Sequence, residues 1–412
     1  MINKTKYFLK SNLFKNSSIY FIVTFMGKII PFIIIPLMTV YLTPKEYGIA
    51  ATYQMYVVLF GLIIGFELNR YLDVYYFKVP KEEFKKYLST ILSVVLLSSL
   101  AVFGITTIVM NFITVPSISF FWIATIPLII MFKFTFMIND GLLRNEENPI
   151  AYGKYTITET LISSLVALGL AYFLHSWTSK AYSFIVAMIV LGGFSYFRLK
   201  KEYDIKFYIN RDILKKAVIF STPFVFGLNL ANIIYANSDK VILLHFYDYT
   251  VVGVFAIALV FASITGFVTD SFMKAWVPIF YKKLKNNDKK VDKQSFYIFI
   301  GLGIVSLFTI YILTIIMPYM IDAKYYDALD IMPYIAVAYI LRVGDQLLLQ
   351  YINYYEKTFV LYAIIIIAIM SCIVFAYFFV DIYGIIGMAF AINLFYILLI
   401  AYYFYIFKNL KR

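Results

Sequence analysis

The chain is poor in the side chains on which soluble catalysis and metal binding usually rest. Its 412 residues include one cysteine and two histidines. Only 14% of them are charged, against about 25% in ordinary globular chains. The single thiol, Cys372, excludes a disulfide within the chain and, set in an apolar stretch, reads as a small buried apolar residue. His175 and His245 stand far apart in sequence with no cysteine beside either, which excludes a Cys/His metal cluster and leaves interfacial placement as the plainer reading. No glycine-rich phosphate loop occurs. No catalytic residue, metal or cofactor is therefore expected. Acids are scarce as well, 23 against 36 lysines and arginines, for a formal charge of +13.

What the chain has in excess is apolar surface. Hydrophobic residues make up 62% of it, more than a soluble domain of this length can hide. Twelve stretches stand out: 17–42, 47–68, 88–110, 118–138, 155–174, 179–199, 217–238, 251–273, 296–317, 329–350, 358–380 and 382–407. Each is long enough to cross a hydrocarbon core of about 30 Å at about 1.5 Å per residue. If these are spans, 29 of the 36 basic residues fall on one side, in the two tails and the even-numbered loops. Lys78, Lys81, Lys85 and Lys86 are among them, as are Lys200, Lys201, Lys206 and the run from Lys282 to Lys293. The other side receives only Lys45, Lys180, Lys240 and Lys324. The positive-inside rule then puts both termini in the cytoplasm. The bias also checks the parsing, because one missed or false span would invert every later loop. It accounts for the basic charge without nucleic acid as a partner. The first stretch contains Pro31 and Pro36 and has no small-residue cleavage site behind it, so it reads as a retained helix rather than a signal peptide.

The connections exclude further classes. Those expected on the outer side are short: 43–46, 111–117, 175–178, 239–250, 318–328 and a turn at 381. An enzyme acting on the outer face would need a larger loop or domain to hold its site. The longest inner loop, 274–295, is lysine-rich with Asn286, Asn287 and Asp288, and reads as a solvated linker near anionic headgroups.

The two halves of the chain repeat. Tyr47-Gly48-Ile49-Ala50 opens the second span, and Val252-Gly253-Val254-Phe255 opens the eighth, 205 residues later. Pro127 followed by Asn139-Asp140 and Leu142-Leu143 is matched, at an offset of 206, by Pro333 followed by Asp345-Gln346 and Leu348-Leu349. The sixth and twelfth spans align near an offset of 204. The expectation is an all-α polytopic membrane protein with twelve transmembrane helices in two six-helix lobes, related by a pseudo-two-fold axis along the membrane normal. The N-terminal lobe would be 1–200, the cytoplasmic linker 201–216 and the C-terminal lobe 217–412.

The segment Pro31-Phe32-Ile33-Ile34-Ile35-Pro36-Leu37, followed by Tyr41-Leu42-Thr43-Pro44-Lys45-Glu46-Tyr47-Gly48, resembles the opening of O-antigen and polysaccharide-unit flippases. These form a branch of the multidrug/oligosaccharidyl-lipid/polysaccharide exporter superfamily. The second half carries matching marks in Asn237-Ser238-Asp239-Lys240, Trp276-Val277-Pro278 and Tyr383-Gly384-Ile385-Ile386-Gly387. The resemblance implies a bacterial inner-membrane protein that moves an undecaprenyl-pyrophosphate-linked oligosaccharide unit from the inner to the outer leaflet by alternating access. A polysaccharide polymerase and a chain-length regulator are the implied protein partners.

Such a substrate needs a wet, cationic cavity for its diphosphate, so charges inside spans are the candidates. Each costs roughly 2.5–3.5 kcal/mol on insertion scales. Lys28, Lys133 and Arg342 are the three cations there. Lys28 lies too deep for its stem to snorkel, Lys133 is near enough to its helix end to do so, and the fork of Arg342 suits a diphosphate. Thr24, Lys28, Pro31, Ile35 and Thr39 form one stripe on the first span. Arg342, Asp345, Gln346, Gln350 and Asn353 share a face of the tenth, where Arg342 and Asp345 could equally be a mutually neutralising pair. Asn229, Asn232 and Asp239 lie within about one face of the seventh, where interhelical hydrogen bonding is the competing reading. Glu159, Asp239 and Asp345 are the acids available for ion coupling; Glu159 could instead tie two helices. Tyrosines cluster at span ends, as an interfacial belt requires. Two other functions stay open: a multidrug or cation antiporter of the same superfamily, and a non-transporting scaffold of an envelope assembly complex.

Overall fold

The computed structural model describes residues 12–113, 115–286, 288, 290–355 and 358–410 and places fourteen α-helices among them. In chain order they begin with α1 (Asn12–Tyr41), α2 (Pro44–Gly65), α3 (Leu68–Tyr75), α4 (Lys81–Val109) and α5 (Phe120–Asn145). Next come α6 (Pro149–Leu174), α7 (Thr178–Tyr203), α8 (Arg211–Phe224), α9 (Leu230–Phe246) and α10 (Tyr249–Lys285). The last four are α11 (Val291–Met320), α12 (Asp327–Tyr354), α13 (Thr358–Tyr383) and α14 (Ile385–Leu410). The tail lysines Lys4, Lys6 and Lys10, and Asn287 and Lys289 of the basic loop, lie outside the described residues.

Eleven of these helices are long and apolar enough to cross a membrane, and they coincide with eleven of the twelve expected stretches. The seventh, 217–238, departs from expectation. It lies within a continuous helical run made of α8, a π-turn at Val225–Asn229 and α9, so the expected span is helical throughout but interrupted in its hydrogen-bond register. Pro223 is the local cause. It lacks an N–H to return to the preceding turn, and its ring crowds the carbonyl four residues back. Just beyond it the Leu230 N–H donates to the Val225 carbonyl, five residues back. Such turns inside helices recur at functional sites.

The lysine-rich segment 274–295 is a second correction, because most of it is helix. α10 continues to Lys285, 37 residues or about 55 Å, and α11 starts at Val291. Hydropathy falls across the lysines, but lysine is a good helix former, so the helix outlasts its apolar part. Asp288 joins the two helices. Its carboxylate accepts from the Lys290 N–H at 2.9 Å and from Lys283 Nζ at 3.3 Å, and these contacts hold its carboxyl below the usual range. The turn expected at 381 falls at Gly384, whose φ of 65° is left-handed and suits a residue without Cβ. Ser295 is buried in α11, whereas Asn286 and Thr43 are exposed. In a Cys372→Ala background, cysteines at Asn286 and Thr43 are expected to label from opposite sides of the membrane. Labelling of both by an impermeant reagent in intact cells would overturn that topology.

By internal contacts the chain divides into two compact units. The first comprises the chain up to Leu42 with Thr52–Leu230, and the second comprises Thr43–Ala51 with the chain from Ala231 onward. In the first, α6 packs on α1 and α7, and α5 packs on α4 and α7. Its core includes Tyr53, Trp122 and Trp177, whose rings stand 5.3–6.4 Å apart. In the second, α12 packs on α10, α11 and α14, and an apolar cluster joins Met273, Trp276, Phe280, Val343, Leu347 and Tyr351.

Inside the second unit the repeat has a physical signature. A Cβ on Gly48 would stand 1.8 Å from the Tyr249 carbonyl oxygen, and a Cβ on Gly253 would stand 1.9 Å from that of Pro44. Gly48 and Gly253 head the matching motifs, and Pro44 and Tyr249 are separated by the same 205 residues. The opening turns of α2 and α10 therefore cross in a reciprocal contact that only glycine permits at both positions.

Candidate functional site

The polar seam between α10 and α12 holds three of the candidate residues. Arg342 Nη2 lies 3.2 Å from Asp270 Oδ2, and Gln346 Nε2 donates to Asp270 Oδ1 at 2.8 Å. One helical turn further on, Gln350 Oε1 accepts from the Tyr281 hydroxyl at 2.6 Å. Positions 342, 346 and 350 recur every fourth residue, so one face of α12 reads against α10. Asp345 falls off that face. The ion pair of Arg342 runs between helices to Asp270, and the guanidinium also acts electrostatically on Asp345. The Arg342 guanidinium also rests 6.0 Å from the Tyr339 ring centroid. Gly266 makes room for both, since a Cβ there would come 2.6 Å from the Tyr339 ring. Arg342 and Asp270 keep 32% and 25% of their side-chain surface exposed, so the pair is reachable.

Asp345 has a different environment. Its Oδ1 is buried with no hydrogen-bond partner among the described residues, and so is Gln346 Oε1. Tyr396 and Tyr403 of α14 are near enough to feel its charge. Beside this group a small cavity of about 120 Å³ is lined by Tyr235, Asp239, Tyr339 and Tyr396. Asp239 is buried and paired with Lys240 at 3.1 Å. Lys240, expected in an outer loop, sits inside α9 with 14% of its side chain exposed.

Asn229, Asn232 and Asp239 do not act as one face. Asn229 belongs to the π-turn and has a buried Nδ2 with no hydrogen-bond partner among the described residues; Asn232 is exposed; Asp239 is buried. The extra residue of the π-turn rotates Asn229 away from the register of α9.

In the first unit Lys28 is exposed on α1, and neighbouring Gly27 faces Thr160 of α6. Lys133 is half-buried, with Nζ 5.9 Å from the Phe184 ring centroid. Lys133 on α5 and Glu159 on α6 are near enough to interact electrostatically, and the Thr160 hydroxyl lies 3.5 Å from the Glu159 carboxylate. At the basic end of these helices Arg198 donates to Asn139 Oδ1 at 2.6 Å, bridges Glu146, and lies 2.8 Å from Glu202. Tyr203 donates to Glu146 at 2.8 Å. Asp140 accepts from Thr156 at 3.2 Å. Asp73 of α3 packs against Gly141, and burial pushes its carboxyl up, opposed by Arg144 and Asn145.

Asp270 and Arg198 were not picked out from the sequence. For Asp270 the signal was available: an acid inside the eighth expected span, between Thr269 and Ser271. Arg198 stands beside the loop cations Lys200 and Lys201, and two of its partners, Asn139 and Glu146, lie more than fifty residues away. Among the described residues no group of three or more His, Cys, Asp or Glu could hold a metal ion.

Known proteins bear on this arrangement in three ways. The chain is 20% identical, over 363 residues, to a protein of the Lsg locus of Haemophilus influenzae, covering 84% of this chain and 86% of that protein. Its fold is that of an inward-facing multidrug resistance MATE family transporter of the MOP superfamily, with TM-score 0.68, 13% identity, and 93% and 95% of the two chains covered. It is equally that of the lipid II flippase MurJ in an inward closed conformation, with TM-score 0.70, 16% identity, and 94% and 87% covered. The profile of one family, described as polysaccharide biosynthesis protein, matches residues 13–284. This polytopic helical membrane protein, with its transporter fold, thus belongs to the polysaccharide biosynthesis protein family.

Proposed function

We propose that the protein is a flippase. In this reading it carries an undecaprenyl-pyrophosphate-linked oligosaccharide repeat unit, of O-antigen or a related surface polysaccharide, from the cytoplasmic to the periplasmic leaflet of a bacterial inner membrane by alternating access. Family membership and a fold shared with a lipid II flippase support it. The observation that carries it is the seat of Arg342, a cation within a membrane-spanning helix, held by Asp270 yet one-third exposed. An intramembrane charge costs insertion energy and marks a substrate path, and a guanidinium fork matches phosphate oxygens bidentately. Lys28, Lys133, Asn229, Asn232 and Gln346 are the further residues assigned to substrate contact. The protein moves its substrate without making or breaking a bond, and a polymerase and a chain-length regulator act on the delivered unit.

The acids divide by their neighbours. Glu159 faces Lys133, Asp239 is paired with Lys240, and Asp345 feels the charge of Arg342 but keeps a buried oxygen with no hydrogen-bond partner among the described residues. Asp345 is thus the carboxylate assigned to any coupling ion. That same feature favours the second reading, a multidrug or cation antiporter. Purified protein in vesicles, at fixed membrane potential and with a controlled pH gradient, separates the readings. Lipid-linked oligosaccharide should cross and cationic dyes should not; dye transport alone makes the protein an antiporter, and transport of neither makes it a scaffold. Flipping should slow when the pH gradient is collapsed, and Asp345→Asn should abolish that sensitivity. A rate unchanged at constant potential rules out proton coupling through these acids.

A further inference from the structure

A groove of about 420 Å³ lies in the first unit between α4, α5 and α7, beneath the segment that joins α7 to α8. Its walls are apolar, with Leu92, Leu96, Met131, Phe132, Phe197 and Phe207 on them. Two of the hydroxyl residues that line it, Thr135 and Ser93, already make hydrogen bonds to the backbone. Thr135 donates to the Met131 carbonyl at 2.9 Å, and Ser93 Oγ accepts from the Tyr208 N–H at 3.0 Å. The second bond is one of three. The Lys206 N–H donates to Ser89 and the Asn210 N–H to Thr90, both at 3.3 Å, so alternate residues of the connecting segment are strapped onto α4. Ser89, Thr90 and Ser93 are buried, which shields these bonds from water.

The strap fixes a cation at the mouth of the groove. Lys206 lines it, and its Nζ lies 3.1 Å from Asp204 in a pair 74% and 67% exposed. An ion pair so open to solvent contributes little and exchanges readily for a better anion. Two adjacent glycines shape the floor. A Cβ on Gly192 would come 2.5 Å from the Phe132 carbonyl oxygen, so that glycine draws α7 onto α5. A Cβ on Gly193 would meet nothing within 4 Å, so that glycine faces open space. Phe197 and Phe207 remain 68% and 67% exposed at the rim.

The dimensions bear on the occupant. Gly192 lies eleven residues before the end of α7 at Tyr203, about 16 Å along the axis. That is close to half of a hydrocarbon core of about 30 Å. The groove therefore runs the depth of one leaflet, starting from the end of α7 where Lys200, Lys201 and Lys206 gather. One acyl chain of a phospholipid needs that depth, whereas a polyprenyl tail needs much more. We propose that this groove binds one anionic phospholipid of the leaflet at the basic end, with an acyl chain against Gly193 and the phosphate on Lys206. The assignment does not depend on what the protein transports.

Native mass spectrometry of the purified full chain in neutral detergent, with phosphatidylglycerol and phosphatidylcholine added in turn, tests it. The wild type should retain one phosphatidylglycerol in preference to phosphatidylcholine. Gly193→Phe should lower that retention about tenfold or more by filling the space of buried methylenes. Gly193→Ser should leave it intact. Lys206→Gln, at an exposed position, should still bind a chain but lose the preference for phosphatidylglycerol. Thermal melting of each variant shows whether it is folded; if Gly193→Phe is not, the Lys206→Gln comparison decides. Equal retention of both lipids by the wild type overturns the proposal, as does unchanged retention by a folded Gly193→Phe. Displacement of phosphatidylglycerol by an equal amount of polyprenyl phosphate overturns it in favour of a polyprenyl tail.

Discussion

Changing Arg342 to Gln and Asp270 to Asn together is expected to restore most of the stability that either single change removes, and still to leave export abolished. Arg342→Gln strips a charged partner from Asp270, which would keep only its bond from Gln346. Asp270→Asn leaves the guanidinium without its counter-charge. Breaking one side of a buried bridge is costly, but these side chains are 32% and 25% exposed, so the cost is discounted to about 1–2 kcal/mol. The double variant faces an amide with an amide and has no stranded charge. Melting in detergent reads the first half of this expectation, and surface polysaccharide in cells reads the second. If the double variant exports normally, the bridge is structural and the proposed role of Arg342 fails. Arg342→Lys adds a finer comparison: it keeps the charge without the planar fork and should export less than wild type if two-pronged phosphate binding matters.

Lys28→Ala is expected to leave the protein folded and inserted while lowering export roughly 30-fold or more, the size of effect seen when one member of a charged recognition pair is truncated. Lys28 is exposed on α1, so its removal opens no cavity. Losing a cation from a span should, if anything, ease insertion. A fall in export with melting unchanged therefore reports on the substrate and not on the fold. Lys28→Arg should retain part of the activity. Full export by Lys28→Ala would leave Lys28 with a structural role only.

Most of the helices could be read from the sequence because long apolar runs with few charges have few alternatives. The π-turn could not. Hydropathy is blind to a single inserted residue, and Pro223 indicates a break without stating its form. Asp270 was missed for a related reason. With the eighth span ended at 273, Asp270 looks like a boundary residue; with α10 running to Lys285, it lies well inside the helix. Arg198 illustrates a different limit. Its partners Asn139 and Glu146 lie on or just after α5, and no local window relates residues so distant in sequence. Within α12, by contrast, the spacing of Arg342, Gln346 and Gln350 was visible, though not what lay opposite it.

The crossing at Gly48 and Gly253 bears on how such a chain can be divided. The opening turn of α2 comes from the first repeat, yet it is counted in the compact unit formed by the second. The transfer is one-way, because the matching turn at Tyr249–Gly253 stays in the second unit. If the gene were split in the segment that joins α7 to α8, the downstream polypeptide would lack the turn that seats on Gly253 and would expose bare backbone in a slot shaped for another glycine. Only a co-expressed upstream piece could fill it. A duplicated ancestor that adopted this packing would have made its own fusion hard to reverse, since the second copy no longer completes its packing without the first.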